Sequence, residues 1–168
     1  MKLLKPTVYF LLIAVLSLTL ASCDRDADLY VRKEYRKDDV PLTGALNFPP
    51  STSPALGKMN IHYNTTTKLL TYTISWSGLT GAVTGASIHG MAPTGFAANP
   101  VQNFITSSNL SSITRCATVT TTSCGSVSGR LFADGVVVTE QNILNGVYYV
   151  SIRTAANPMG EIRAQIKF

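Results

Sequence analysis

The chain has 168 residues, 14 of them Lys or Arg against 9 Asp or Glu, for a formal charge of +5. Beyond the N-terminal region the basic residues are scattered (Lys58, Lys68, Arg115, Arg130, Arg153, Arg163, Lys167). No cluster traces a phosphate backbone and no helix is available to enter a groove, so nucleic acid is not an expected partner.

The first 22 residues read as a secretory signal: Lys2 and Lys5 precede the apolar run VYFLLIAVLSLTL, which stops at a small-residue site. A membrane-spanning helix is the competing reading, but the run from Val8 to Leu20 has 13 residues, against roughly 20 needed to cross a bilayer. The site itself, Leu20-Ala21-Ser22-Cys23, resembles the lipobox of bacterial lipoproteins. That resemblance implies diacylglycerol on the Cys23 sulfur and cleavage that makes Cys23 the new N-terminus. Two or three acyl chains make release negligible, whereas one chain binds only marginally. Removing Lys2 and Lys5 with the signal leaves 12 Lys plus Arg against 9 Asp plus Glu, a charge of +3. An aspartate directly after the cysteine, Asp24, leaves the choice of membrane open, with the outer membrane or cell surface favoured over the inner membrane.

Residues 23–39 read as a charged tether, because eleven of the sixteen residues in DRDADLYVRKEYRKDD are charged. From Val40 onward charges become rare, and roughly 129 residues remain, enough for one domain with a core, 40–168. In KLLTYTISWSGL, Leu70, Tyr72, Ile74 and Trp76 alternate with Thr71, Thr73, Ser75 and Ser77. That period of two predicts a strand with one buried face, and it assigns Tyr72 and Trp76 to the core instead of a sugar-binding surface. GKMNIHYN precedes it, and NTTTK supplies the turn of a hairpin. Shorter strands are expected at ASIHGMA, VQNFIT, a cysteine hairpin, SVSGRLFA and VVVTE, with one helical turn at QNILNG. At the C-terminus VYYVSIRT and EIRAQIKF flank AANPMG, where Asn157, Pro158 and Gly160 suit a type I turn. Ile162, Ala164, Ile166 and Phe168 alternate there with Arg163, Gln165 and Lys167, whose basic face is expected to meet water. Of Tyr148 and Tyr149, which have opposite parity, one is expected to be exposed. Several short strands with closely spaced turn signals and no sustained helical period define an all-β fold, an antiparallel sandwich or barrel.

With Cys23 assigned to lipid, Cys116 and Cys124 remain as a pair outside the cytoplasm and are expected to form one disulfide. A zinc pair or redox couple is the alternative, but no further Cys or nearby His completes a metal site and the spacing is not C-x-x-C.

Three segments carry a resemblance to a known family: PLTGALNFPPSTSPALGK (41–58), GLTGAVTGASIHGMAPTG (78–95) and, most specifically, NGVYYVSIRTAANPMGEIRAQI (145–166). Together they look like a CHRD domain. The resemblance implies an immunoglobulin-like β-sandwich or barrel and no established bacterial activity. It also implies further histidines two residues before His89 and in the strand matching VYYVSIRT, where this chain has Ser87 and Arg153. Histidines at i and i+2 on a strand share a face, and a third from a neighbouring strand could complete a metal site. Here the trio is broken, because arginine cannot ligate and its charge repels a cation.

His89 is therefore expected to hydrogen-bond the backbone near Gly90 or a carboxylate such as Glu161, and His62 to pack or lie exposed. Arg153 is expected to face Glu161 across the final hairpin. No paired carboxylates, G-x-S-x-G elbow or phosphate-binding glycine loop occurs. The expected function is a non-catalytic, envelope-anchored lipoprotein, without cofactor or metal, whose β domain is an interaction module. MAPTGFAANP and SSNLSSITRCATVTTTSCG would be presented to a protein or glycan. The alternative is a metal-binding or redox β-sandwich protein.

Overall fold

A computed structural model describes residues 33–168. The signal, Cys23 and the first part of the tether lie outside the described residues. The chain forms β1 (Glu34–Thr43), β2 (Leu56–Asn64), β3 (Leu69–Ser77), β4 (Val83–His89), β5 (Pro100–Ile105), β6 (Thr114–Arg115) and β7 (Gly125–Phe132). These are followed by the short helix α1 (Glu140–Leu144), then β8 (Tyr149–Thr154) and β9 (Ile162–Gln165). All strand pairings are antiparallel, and they build one nine-stranded sheet in the order β5-β4-β8-β9-β1-β2-β3-β7-β6. The all-β antiparallel expectation holds, and the form it takes is a single curled sheet.

The curl brings the two ends of the sheet together. Tyr72 on β3 donates its hydroxyl to Gln102 Oε1 on β5 at 3.2 Å, and Gln102 Nε2 donates to the Arg130 carbonyl on β7 at 2.8 Å. The Tyr72 ring reaches this seam by lying across its cross-strand neighbour Gly129, where a Cβ would stand 2.3 Å from the tyrosine oxygen. Only a residue without a side chain leaves room for that crossing.

Period-two alternation decides what the curled sheet encloses. Met59, Ile61 and Tyr63 of β2, Leu70, Tyr72, Ile74 and Trp76 of β3, and Val150 and Ile152 of β8 are buried in one cluster with Ile162, Ala164 and Ile166. The predicted core positions of β3 and β9 are thus filled as expected. The QNILNG turn forms α1, capped by Thr139 Oγ1, which accepts from Asn142 N–H, and its Ile143 is fully buried.

The register also fixes which loops share an end. Glu34 pairs with Asn64, Asn64 with Leu69, and Leu69 with Phe132, so β1 begins at the same end as the β2–β3 turn and the segment after β7. Following the antiparallel neighbours, residues 90–99, α1 and the C-terminus lie at this proximal end as well. Residues 44–55, 78–82, the disulfide-bonded loop and the β8–β9 turn lie at the distal end, a strand length of about 30 Å away.

Three expectations about elements are corrected. From Glu34 on, the segment read as tether is strand β1, because pairing with β2 satisfies its backbone while Arg36 and Asp38 remain exposed and bond each other. VVVTE is no strand: Asp134 Oδ1 accepts the N–H groups of Val136, Val137 and Val138 at 2.8, 2.9 and 2.9 Å, next to Gly135 at φ +78°. A carboxylate that takes three successive amides turns the chain and leaves none for a ladder. Tyr148 and Tyr149 are both buried, since the sheet is covered on both faces at β8.

Candidate functional site

On β4, β8 and β9 the core side of the sheet is apolar and the outer side carries the chain's chemistry. The register places Gly85 opposite Arg153, Ser87 opposite Ser151 and Ser151 opposite Arg163; in the next row His89 faces Tyr149 and Tyr149 faces Gln165. All of these positions share one face, as the parity of a strand requires. The loop 90–99 folds back over His89, Tyr149, Arg163 and Gln165, while Arg153 of β8 and Asn103 of β5 close over Gly85 and Ser87, so most of the outer side is a second buried layer and not a solvated surface.

Arg163 is the centre of this layer. Its residue is only 1% exposed, and the expectation that it meets water is corrected. Nη1 donates to the Phe96 carbonyl at 2.7 Å, while Nη2 donates to the Pro93 carbonyl at 3.1 Å and to Gln165 Oε1 at 2.9 Å. The guanidinium also sits 3.4 Å from the centroid of the Tyr149 ring. Carbonyl dipoles and a π face thus take the place of a carboxylate in solvating a buried cation. Gln165 adds bonds from Nε2 to the carbonyls of Ala92 and Gly146, fastening the start of the same loop.

His89 flanks Tyr149 from the β4 side, stacked at 4.9 Å with planes 7° apart. Its Nδ1–H donates to the Ala98 carbonyl at 2.9 Å, and the Tyr149 hydroxyl accepts from Ala98 N–H at 3.0 Å. The backbone partner expected for His89 is therefore found, at Ala98. A carbonyl can only accept, so Nδ1 carries the proton and Nε2 of the neutral ring is a lone pair. Burial, together with the charges of Arg153 and Arg163, holds the imidazole below its ordinary pKa of 6.5, against the opposing bond to Ala98. The native state therefore keeps His89 neutral, whereas the unfolded chain takes up a proton below pH 6.5. Stability is thus complete above 6.5 and lost as pH falls toward the lowered native value. Urea unfolding across this window should show the stability of the wild type declining as pH falls. The decline should be absent in His89→Asn, which keeps a donor for Ala98.

Arg153 and Glu161 do not pair. Arg153 stretches over Gly85, where a Cβ would stand 2.9 Å from Nη2, and donates from Nη2 to Ser87 Oγ at 3.2 Å. Ser87 in turn donates to Asn103 Oδ1 at 2.6 Å. The two positions where the family resemblance implies histidines are thus joined to each other as Arg153 and Ser87. Glu161 is fully buried and accepts four hydrogen bonds: Ser53 Oγ at 2.6 Å, Thr80 N–H at 2.7 Å, Thr80 Oγ1 at 2.9 Å and Thr154 Oγ1 at 2.5 Å. Burial pushes its pKa up, but the bonds from Ser53, Thr154 and Thr80 outweigh it and the net shift is downward. A carboxylate held ionised with its lone pairs occupied is a structural anion, poorly suited to deliver or remove a proton.

Cys116 and Cys124 are disulfide-bonded with Cα atoms 5.5 Å apart. The loop they close returns to the core: the Trp76 indole N–H donates to the Thr122 carbonyl at 2.9 Å, and Thr122 Oγ1 accepts from Val83 N–H at 2.9 Å. Of the two loops expected to meet a partner, MAPTGFAANP (91–100) lies at the proximal end of the sheet and SSNLSSITRCATVTTTSCG (107–125) at the distal end.

A second polar region was not foreseen as a site. The outer face of β1, β2, β3 and β7 carries a groove of about 510 Å³ lined by Arg36, His62, Thr71, Thr73, Ser128 and Arg130. Cross-strand register sets Arg36, His62, Thr71 and Arg130 in one row across four strands. The polar half of the β3 alternation was visible in the sequence, but its neighbours in the row come from three other segments. Among the described residues no three His, Cys, Asp or Glu side chains converge as metal ligands.

An antiparallel β module whose polar side chains brace loops and line a groove is the class this geometry defines. The CHRD domain family model matches residues 39–166, and the chain belongs to that family. Comparison with curated proteins and with solved structures returns no match.

Proposed function

We propose that the chain is a non-catalytic, envelope-anchored lipoprotein whose CHRD domain is a binding module for a protein or glycan. The anchor reading rests on the charged, apolar and small-residue sequence that ends at Leu20-Ala21-Ser22-Cys23, with the outer membrane or cell surface as the favoured address. The binding reading rests on the contrast between the two polar faces. On β4, β8 and β9 the charged groups are turned inward, Arg163 to the carbonyls of loop 90–99 and Arg153 to Ser87 of β4. In the groove Thr73, Ser128 and Arg130 are exposed. Hydroxyls and a guanidinium set in rows offer the donors and acceptors that hydroxyl-rich or carboxylate-bearing ligands use.

Full-length protein expressed in cells should incorporate labelled palmitate, and Cys23→Ser should abolish the label. Pull-down from cell envelopes should recover a partner with the wild type and lose it with Arg130→Ser. Equal recovery by both proteins would remove the groove from the proposal, and unlabelled wild type would remove the anchor.

A further inference from the structure

The proximal end of the sheet has an apolar tip that the core does not need. Val136 is 85% exposed, Val137 56% and Met91 62%. They belong to one region. The Tyr148 hydroxyl donates to the Val137 carbonyl at 3.0 Å, the same Tyr148 ring lies against Gly90, and Asn142 of α1 contacts Met91 Sδ at 2.8 Å. The Asp134 carboxylate holds the backbone of the valine turn, so its shape does not depend on apolar side chains at 136 and 137. Val138, the third residue bonded to that carboxylate, is buried and serves the core. The first two present branched apolar surface to the outside, where exposure is a cost unless something covers it.

The chain enters the domain at this same end. Ten residues, 24–33, separate Cys23 from Glu34, a reach of at most about 35 Å at full extension. The nearby charges nearly cancel: Lys68 bonds Glu140 at 2.6 Å, and Lys33 and Lys167 are offset by Glu34 and Asp134. A contact made here is therefore chiefly apolar.

We infer that the proximal end lies against the bilayer, with Met91, Val136 and Val137 touching lipid, so that the disulfide-bonded distal end points away from the membrane. This inference rests on the anchor reading and adds an orientation to it. Partial burial of three apolar side chains is worth little for a free protein, but a lipid on Cys23 holds the tip at the surface and makes the contact effectively intramolecular. The groove of β1, β2, β3 and β7 then stands upright beside the membrane and open to a partner.

The test uses the full-length lipidated protein in phosphatidylethanolamine–phosphatidylglycerol vesicles containing brominated lipid. A tryptophan is placed at the tip, Val136→Trp, or in the distal β8–β9 turn, Met159→Trp. The added fluorescence of Val136→Trp should be quenched at least about twofold more strongly than that of Met159→Trp and should shift to the blue. Equal quenching in protein that carries labelled palmitate overturns the orientation and leaves the anchor standing. If palmitate is not incorporated, the anchor reading fails and the orientation falls with it.

Discussion

Glu161→Ala should destabilise the domain by about 3 to 5 kcal/mol in urea unfolding, the largest effect of any single side-chain truncation discussed above. Three polar neighbours, Ser53, Thr80 and Thr154, direct four donors at one buried carboxylate. These donors come from the 44–55 segment, the β3–β4 connection and β8, so the carboxylate joins three pieces of the distal end. Its removal takes the shared acceptor from the Thr80 amide and three hydroxyls and leaves a hole where a fully buried side chain stood, with the Thr154 hydroxyl, itself fully buried, left unpaired. Glu161→Gln keeps the shape but turns an NH₂ toward donors, and about 2 kcal/mol should be lost. A loss under about 1 kcal/mol in the alanine variant would mean that the hydroxyls bond elsewhere and that the carboxylate is not the organising group. The pH dependence has a definite sign. The native pKa of Glu161 lies below its ordinary 4.5, so the stabilisation is whole above pH 4.5 and disappears as pH falls through the lowered native value. This step lies below the one assigned to His89, and Glu161→Gln should remove it while leaving the His89 step in place.

Breaking the disulfide with the paired change Cys116→Ser and Cys124→Ser should cost about 2.5 kcal/mol, the chain-entropy value for so short a closed loop. The bridge encloses Thr122, whose carbonyl and hydroxyl bond Trp76 and Val83. Freeing the loop should therefore also expose the indole, and Trp76 emission should shift to the red in native buffer. Because Trp76 is the chain's single tryptophan, the change in emission reports this site alone. An unchanged spectrum with lowered stability would show that the loop keeps its seat without the bridge and that only the unfolded state is affected.

How much of this was legible in the sequence differs from residue to residue. Leu70, Tyr72, Ile74 and Trp76 sit in the core as their alternation required, because parity within one strand is a local property. Arg163 had the correct parity too: it does point away from the core. Whether the outer face meets water is a separate matter. It depends on Pro93 and Phe96, seventy and sixty-seven residues away, whose carbonyls the guanidinium binds. The Arg153–Glu161 pair failed for a related reason. Opposite charges on one hairpin suggest a bond, but Ser53 and Thr80 reach Glu161 from distant segments, and Ser87 takes Arg153. The VVVTE strand failed locally, since three branched residues have strand character only while their amides are free for a ladder. Asp134 takes those amides first.

The sequence by itself determined an antiparallel all-β domain of the CHRD family, the Cys116–Cys124 pair and the helical turn before β8. Each of these follows from patterns contained within a few residues or from the types of side chain present. Only the tertiary structure decided that the β4–β8–β9 outer face is a second buried layer and that residues 90–99 and the disulfide-bonded loop lie at opposite ends of the sheet. It also decided that the apolar tip shares an end with the point of chain entry. Strand order and loop return are set by contacts between residues far apart in the chain, and no local period encodes which loop covers which face.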